Sequence, residues 1–146
     1  MELKKPLATK FDHEKLEVYR YELDFVEWVT PLLEEAATST KGRTREVCDQ
    51  LDRASLSSLL NTAEGNGKRQ RQVRAKFFDD ARGSVTECAA CLDALVAKRV
   101  VSPERIIAGK DLLLKIVSML SGLVNRFDGS GDVLREDSLE YVTEEI

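Results

Sequence analysis

The sequence predicts an all-α protein, an antiparallel up-down four-helix bundle with a flexible acidic C-terminal tail. Two observations carry the bundle. Four segments repeat apolar residues at steps of three and four, which gives each a single helix face to hide from water. Short polar links join these segments, as an antiparallel bundle requires. The composition agrees: of 146 residues, 42% are hydrophobic and 33% charged, which suits one soluble domain with an ordinary core. Aromatic residues make up only 6% and prolines number 3, which counts against an all-β fold.

Residues 1–10 read as an N-terminal extension, 11–127 as the bundle and 128–146 as the tail. The first helix is expected from Asp12 towards Ala37, with Leu16, Tyr19, Leu23 and Val26 as its stripe. Pro31 lacks an N–H and crowds the preceding turn, so a kink or early stop is expected near Thr30. A second helix, Thr44 to Ala63, carries Val47, Leu51, Ala54 and Leu59. It should stop at Glu64-Gly65-Asn66-Gly67, with Gly65 or Gly67 in the left-handed cap conformation.

The third helix, Lys68 to Lys98, carries Phe77, Ala81, Ser84, Cys88, Cys91 and Leu95. Gly83 in its interior costs about 1 kcal/mol relative to alanine, and close approach of a neighbouring helix is the expected return. Ser102-Pro103-Glu104 is a strong helix start: a capping hydroxyl, a proline suited to the first position and an acid at the positive end of the dipole. The fourth stripe is Ile106, Leu113, Val117, Leu120, Val124 and Phe127, ending before Asp128-Gly129. Leu16, Leu51, Phe77, Leu113 and Leu120 are expected to be largely buried. The tail's glycines and acids offer too little apolar surface to offset chain ordering.

No apolar run approaches the roughly 20 residues needed to span a bilayer. The basic start, Met1 to Lys10, leads into Phe11-Asp12-His13-Glu14 and not into an apolar signal core, so a cytoplasmic location without membrane contact is expected. Three cysteines, an odd number inside helical patterns, suit a reducing compartment. The net charge of −4 is uneven: from Asp128 onward there are seven acids and one base, which leaves 19 acids against 21 bases before it. A slightly basic bundle thus carries an acidic tail, an asymmetry typical of interaction surfaces.

Little here resembles reaction chemistry. Cys88-x-x-Cys91 lies mid-helix on an apolar stripe, whereas a redox pair needs a lowered thiol pKa. Structural zinc would need four ligands, and Cys48 supplies only a third. His13 has no nucleophile motif pointing to it. Asp128-x-Ser130-x-Asp132 opens like a calcium loop, but Val133 replaces the turn glycine and Leu139 the final bidentate acid. No catalytic residue, metal, cofactor or small-molecule substrate is expected.

Binding is better represented. Lys68, Arg69, Arg71, Arg74 and Lys76 bring five positive charges without an acid to the start of the third helix, a pattern that can track phosphates. Glu64 is expected to reach the unpaired N–H groups opening that helix, and Arg53 and Glu87 to lie towards packed faces. On the fourth helix Leu112, Ile116, Met119 and Leu123 form a second stripe beside the core stripe. That arc is wider than a lone bundle needs and is a candidate homo-oligomer interface.

Several motifs also occur together: Phe11-x-x-Glu14-Lys15-Leu16-x-Val18-Tyr19, Gln50-Leu51-x-Arg53-Ala54-x-x-Ser57, Asn61-x-Ala63-Glu64-Gly65-x-Gly67 and Ala81-x-Gly83-Ser84-x-x-Glu87. Their order and spacing resemble the four-helix-bundle proteins encoded by intervening sequences of bacterial 23S ribosomal RNA genes, over about Phe11 to Phe127. The resemblance implies a cytoplasmic ring-like homo-oligomer, commonly a pentamer, without known enzymatic activity, and family-motif structural roles for Arg53, Asn61, Glu64, Gly65, Gly67, Gly83 and Glu87. The related accessory variability proteins of diversity-generating retroelements bind a reverse transcriptase and nucleic acid, so an RNA or ribonucleoprotein partner is implied. This chain departs from the pattern at Ser58-Leu59, where family members often carry Ile-Pro, at Pro31, and in its acidic tail. The expected function is a non-enzymatic oligomeric scaffold or adaptor that contacts RNA or a ribonucleoprotein. A purely protein-binding module is the alternative, and a thiol oxidoreductase a distant one.

Overall fold

The structure is a computed structural model that describes residues 11–39 and 43–128. The N-terminal extension, the calcium-loop-like segment after Asp128 and the acidic tail lie outside the described residues. Four helices form the bundle: α1 (Glu17–Ala37), α2 (Arg45–Asn66), α3 (Arg71–Ala97) and α4 (Ile107–Phe127). Each packs against the next in the chain, and α4 closes the ring against α1. The all-α four-helix reading therefore holds.

The α1 register differs from the one expected. Its buried face is Val18, Glu22, Phe25, Val29, Leu32 and Ala36, while Leu23 is exposed and Leu16 only packs against the core's edge. The step of three and four is right but turned by about one residue. Glu22 is the cause, since a carboxylate in the buried stripe hid it from an apolar count. Nor does α1 stop at Thr30. It continues through Pro31, which faces solvent, because Val29 and Leu32 on either side are fully buried. Tertiary packing outweighs the propensity penalty there.

On α2 the packed face is small and polar: Ala54, Ser55, Ser58, Thr62 and Gly65 accompany Leu51. Small residues let α3 approach closely. A Cβ on Gly65 would stand 2.7 Å from the Cβ of Phe77, so this glycine is a contact site inside the helix and not its stop. Gly67 does cap α2, but at φ −85°, so neither glycine takes the expected left-handed conformation.

The core of α3 is Ala75, Phe78, Ala81, Val85, Cys88, Leu92 and Leu95. Phe78 is buried where Phe77 was expected, and Phe77 is half-buried at the α2 edge. Gly83 meets nothing within 4 Å on the exposed side, so it permits no close helix approach. The left-handed residue of the chain's described part is Arg99, at φ 63°. There the Val100 N–H reaches the Leu95 carbonyl and the Arg99 N–H the Val96 carbonyl, both at 2.9 Å, which is the paired bonding of a Schellman stop.

Ser102 caps as expected, its Oγ accepting from the Arg105 N–H at 3.2 Å before a 3-10 turn, Pro103–Ile106, that leads into α4. Leu113, Ile116, Val117, Leu120 and Val124 fill the core from α4, and Leu112, Met119 and Leu123 pack along its edge. Ile116 is 1% exposed, which removes it from the expected oligomer stripe: the centre of that stripe is the monomer's own core.

Candidate nucleic-acid interface

The antiparallel topology brings the end of α2, the start of α3 and the end of α4 to one end of the bundle. Both α2 and α4 finish there with unpaired carbonyls, the negative ends of their dipoles. Two arginines answer them. Arg74 donates from Nη2 to the Asn66 carbonyl at 2.6 Å and from Nε to the Lys68 carbonyl at 3.1 Å, and Arg71 donates to the Arg126 carbonyl.

These two share one ring with Arg126. The guanidinium carbons of Arg74, Arg71 and Arg126 lie 4.8, 5.0 and 5.3 Å from the centroid of Phe127, which is tilted against buried Phe78. Lys68 lies over the Phe77 ring at 5.1 Å. Like charges are thus gathered around aromatic faces, which attract cations through the ring quadrupole.

The five basic residues read from the sequence therefore separate by role. Arg74 is half-buried and caps α2. Arg71 is exposed while capping α4. Lys68, just past the end of α2, pairs with Glu64 at 3.6 Å, and Lys76 pairs with Asp80 at 3.1 Å across an exposed turn of α3. Arg69 is exposed and makes no ion pair among the described residues. The residue missed is Arg126, together with Phe127. Arg126 lies fifty residues beyond the basic run, and only the up-down topology places it beside Arg71.

The remaining motif residues brace the fold or face outward. Glu64 pairs with Lys68 and does not serve the N–H groups of α3. Asn61 donates from Nδ2 to the Ser57 carbonyl at 2.9 Å, and Ser84 Oγ donates to Ser57 Oγ at 2.9 Å, which ties α2 to α3. Arg53 and Glu87 are exposed, contrary to the packed positions expected. Arg53 lines a shallow open hollow at the start of α2 with Arg43, Arg45, Glu46 and Asp49, where both signs of charge mix.

Nothing in the cysteines prepares thiol chemistry. Burial, reinforced by Cys91 and Glu87, pushes the Cys88 thiol up to about 12. Burial also raises Cys91 and Cys48. A reactive thiol needs the opposite shift. Among the described residues no group of three or more His, Cys, Asp or Glu could hold a metal ion, and no helix is long and apolar enough to cross a membrane.

One buried group has a different character. Glu22 is 2% exposed between α1 and α2, its Oε2 accepting from Ser58 Oγ at 2.5 Å and Thr62 Oγ1 at 2.8 Å, while its Oε1 meets no donor among the described residues. Burial raises it to about 7 against the lowering effect of the two hydroxyls. With Ser58 and Thr62 it braces α1 against α2.

No curated protein matches the chain. The sequence model of one family, described as 23S rRNA-intervening sequence protein, matches residues 14–122, which covers all of α1, α2 and α3 and most of α4. This is not a known enzyme family. With the greater part of its length matched and the four-helix fold in place, the chain belongs to the 23S rRNA-intervening sequence protein family.

Proposed function

We propose that this protein is a non-enzymatic, homo-oligomeric scaffold or adaptor that contacts the phosphate backbone of RNA, free or within a ribonucleoprotein, at the basic end of the bundle. The observation that carries the reading is the convergence of Arg71, Arg74 and Arg126 on Phe127, with Lys68 and Arg69 beside them. Arg69 and Arg126 are exposed and are the cations best placed to meet phosphate. The Phe127 ring is occupied by guanidinium groups and the Phe77 ring by the Lys68 ammonium, so these two rings do not offer themselves to a base. Contact through this cluster is therefore electrostatic and indifferent to base sequence.

Purified full-length protein, freed of carried-over nucleic acid, is titrated with a structured RNA at several salt concentrations. Affinity should fall steeply with salt and change little when base pairs are exchanged within the same RNA fold. Arg69→Gln with Arg126→Gln should weaken binding and flatten the salt slope by about two counterions. Equal affinity and slope in that variant would remove this end from consideration. Failure of any RNA to bind would favour the purely protein-binding module.

Self-assembly draws support from α4, where Leu112, Met119 and Leu123 remain half-buried along one edge after Ile116 is assigned to the core. Light scattering at micromolar concentration should give a multiple of 16.4 kDa, with a pentamer the number suggested by the family resemblance. That mass should fall when Met119 and Leu123 are made charged while helicity is kept. The mass of one chain would overturn the oligomer.

A further inference from the structure

We infer that the cation cluster around Phe127 is a docking surface for the chain's own acidic segment, residues 129–146, which competes there with nucleic acid. The competition rests on the reading proposed above. The docking does not.

Position is the first argument. Phe127, the ring on which three guanidinium groups converge, is the last residue of α4, and residue 129 follows after Asp128 alone. The acids begin at Asp132 and run through Glu136, Asp137, Glu140, Glu144 and Glu145, with Arg135 the one base. A tether this short holds them at an effective concentration on the order of millimolar beside the cluster.

Charge is the second. Lys68, Arg69, Arg71, Arg74 and Arg126 lie at one end of the bundle, and the hydrogen bonds of Arg71 and Arg74 run to carbonyls, not carboxylates. Arg69 and Arg126 are exposed and make no ion pair among the described residues. Carboxylates fit these groups, and they carry the same sign as phosphate. Exposed pairs of this kind are individually weak and screened by salt. The segment would therefore be displaced readily, which suits a competitor better than a permanent seal. It would raise the threshold for weak, non-specific nucleic acid while leaving a multivalent partner able to bind.

Carbodiimide crosslinking of the full chain, without nucleic acid and mapped by mass spectrometry, tests the docking. Amide links from Lys68 to carboxylates between 132 and 145 should exceed those from Lys98 or Lys110 several-fold. They should fall at high salt and in the Arg69→Gln, Arg126→Gln variant, whose caps at Arg71 and Arg74 are untouched. Links spread evenly over the lysines would overturn the docking. In a second arm, adding RNA should suppress the Lys68 links. A full-length variant with Glu136, Glu140, Glu144 and Glu145 changed to Gln and Asp137 to Asn should bind RNA at least about threefold tighter at low salt, with the difference lost as salt rises. RNA bound without loss of the links would overturn the competition. Links at Lys68 with no RNA binding in either protein would uphold the docking and overturn the nucleic-acid reading.

Discussion

The indole of Trp28 occupies the space that a side chain at Gly109 would fill: a Cβ there would stand 2.3 Å from Cζ3 and 2.4 Å from Cη2. The ring cannot easily yield. Phe25 flanks it at 5.7 Å between centroids, and the Arg105 guanidinium lies over it at 5.4 Å. Arg105 is itself held by both oxygens of Glu35, at 3.1 and 2.7 Å. That pairing holds the Glu35 carboxyl below its usual range. Gly109 is thus the point at which α4 comes onto α1.

Gly109→Ala should therefore destabilise the protein. Alanine gains about 1 kcal/mol in helix propensity, but forcing a methyl into a packed ring costs about 1–3 kcal/mol or more. A net loss of up to about 2 kcal/mol is expected, read as a lower midpoint in thermal unfolding followed by circular dichroism. A raised midpoint would show that Trp28 moves freely.

Phe78→Ala should cost about 3–5 kcal/mol, because its ring is 1% exposed in the centre of the bundle. Phe77→Ala, at the α2 edge, should cost clearly less. Denaturant titration of the two variants side by side gives the ordering, and a larger loss at Phe77 would reverse the register assigned to α3.

Glu22 makes stability depend on pH. Folded, it holds its proton up to about 7, against an ordinary value of 4.5, so the folded state binds the proton more tightly than the unfolded chain. Its contribution is complete below about 4.5 and is lost as pH rises through about 7. Glu22→Gln keeps the group neutral and still able to bond with Ser58 and Thr62. Its stability relative to the native protein should improve between pH 5 and pH 8 by an amount of order 2 kcal/mol. Parallel pH profiles for the two proteins would show that burial of Glu22 does not set the titration.

Arg99→Gly should stabilise the protein by about 0.5–1 kcal/mol. Arginine pays a steric cost at φ 63° that glycine avoids, and the two backbone bonds of the stop are retained. The urea midpoint should rise at unchanged slope. A fall would mean that the Arg99 side chain contributes more than the backbone strain costs.

Local chemistry by itself determined the number of helices, the Ser102 start, the Phe127 stop and the core stripe of α4 apart from Ile116. Each follows from periodicity and capping within one segment, and α4 has an apolar face unbroken by charge. Packing between helices decided the rest. Glu22 sits in the buried stripe of α1 because Ser58 and Thr62 of α2 solvate it, so α1 alone gives no reason to place a carboxylate on the buried face. Which of the neighbours Phe77 and Phe78 is buried was likewise decided between helices, where Gly65 of α2 lies against the Cβ of Phe77 and the ring of Phe78. The basic run at residues 68–76 was legible as charge, but its division into caps and free cations depends on two other helices ending beside it. Arg126 joins that cluster across fifty residues of chain. Such relationships arise only when the antiparallel bundle closes, because sequence patterns report one helix face at a time and contacts are made between faces.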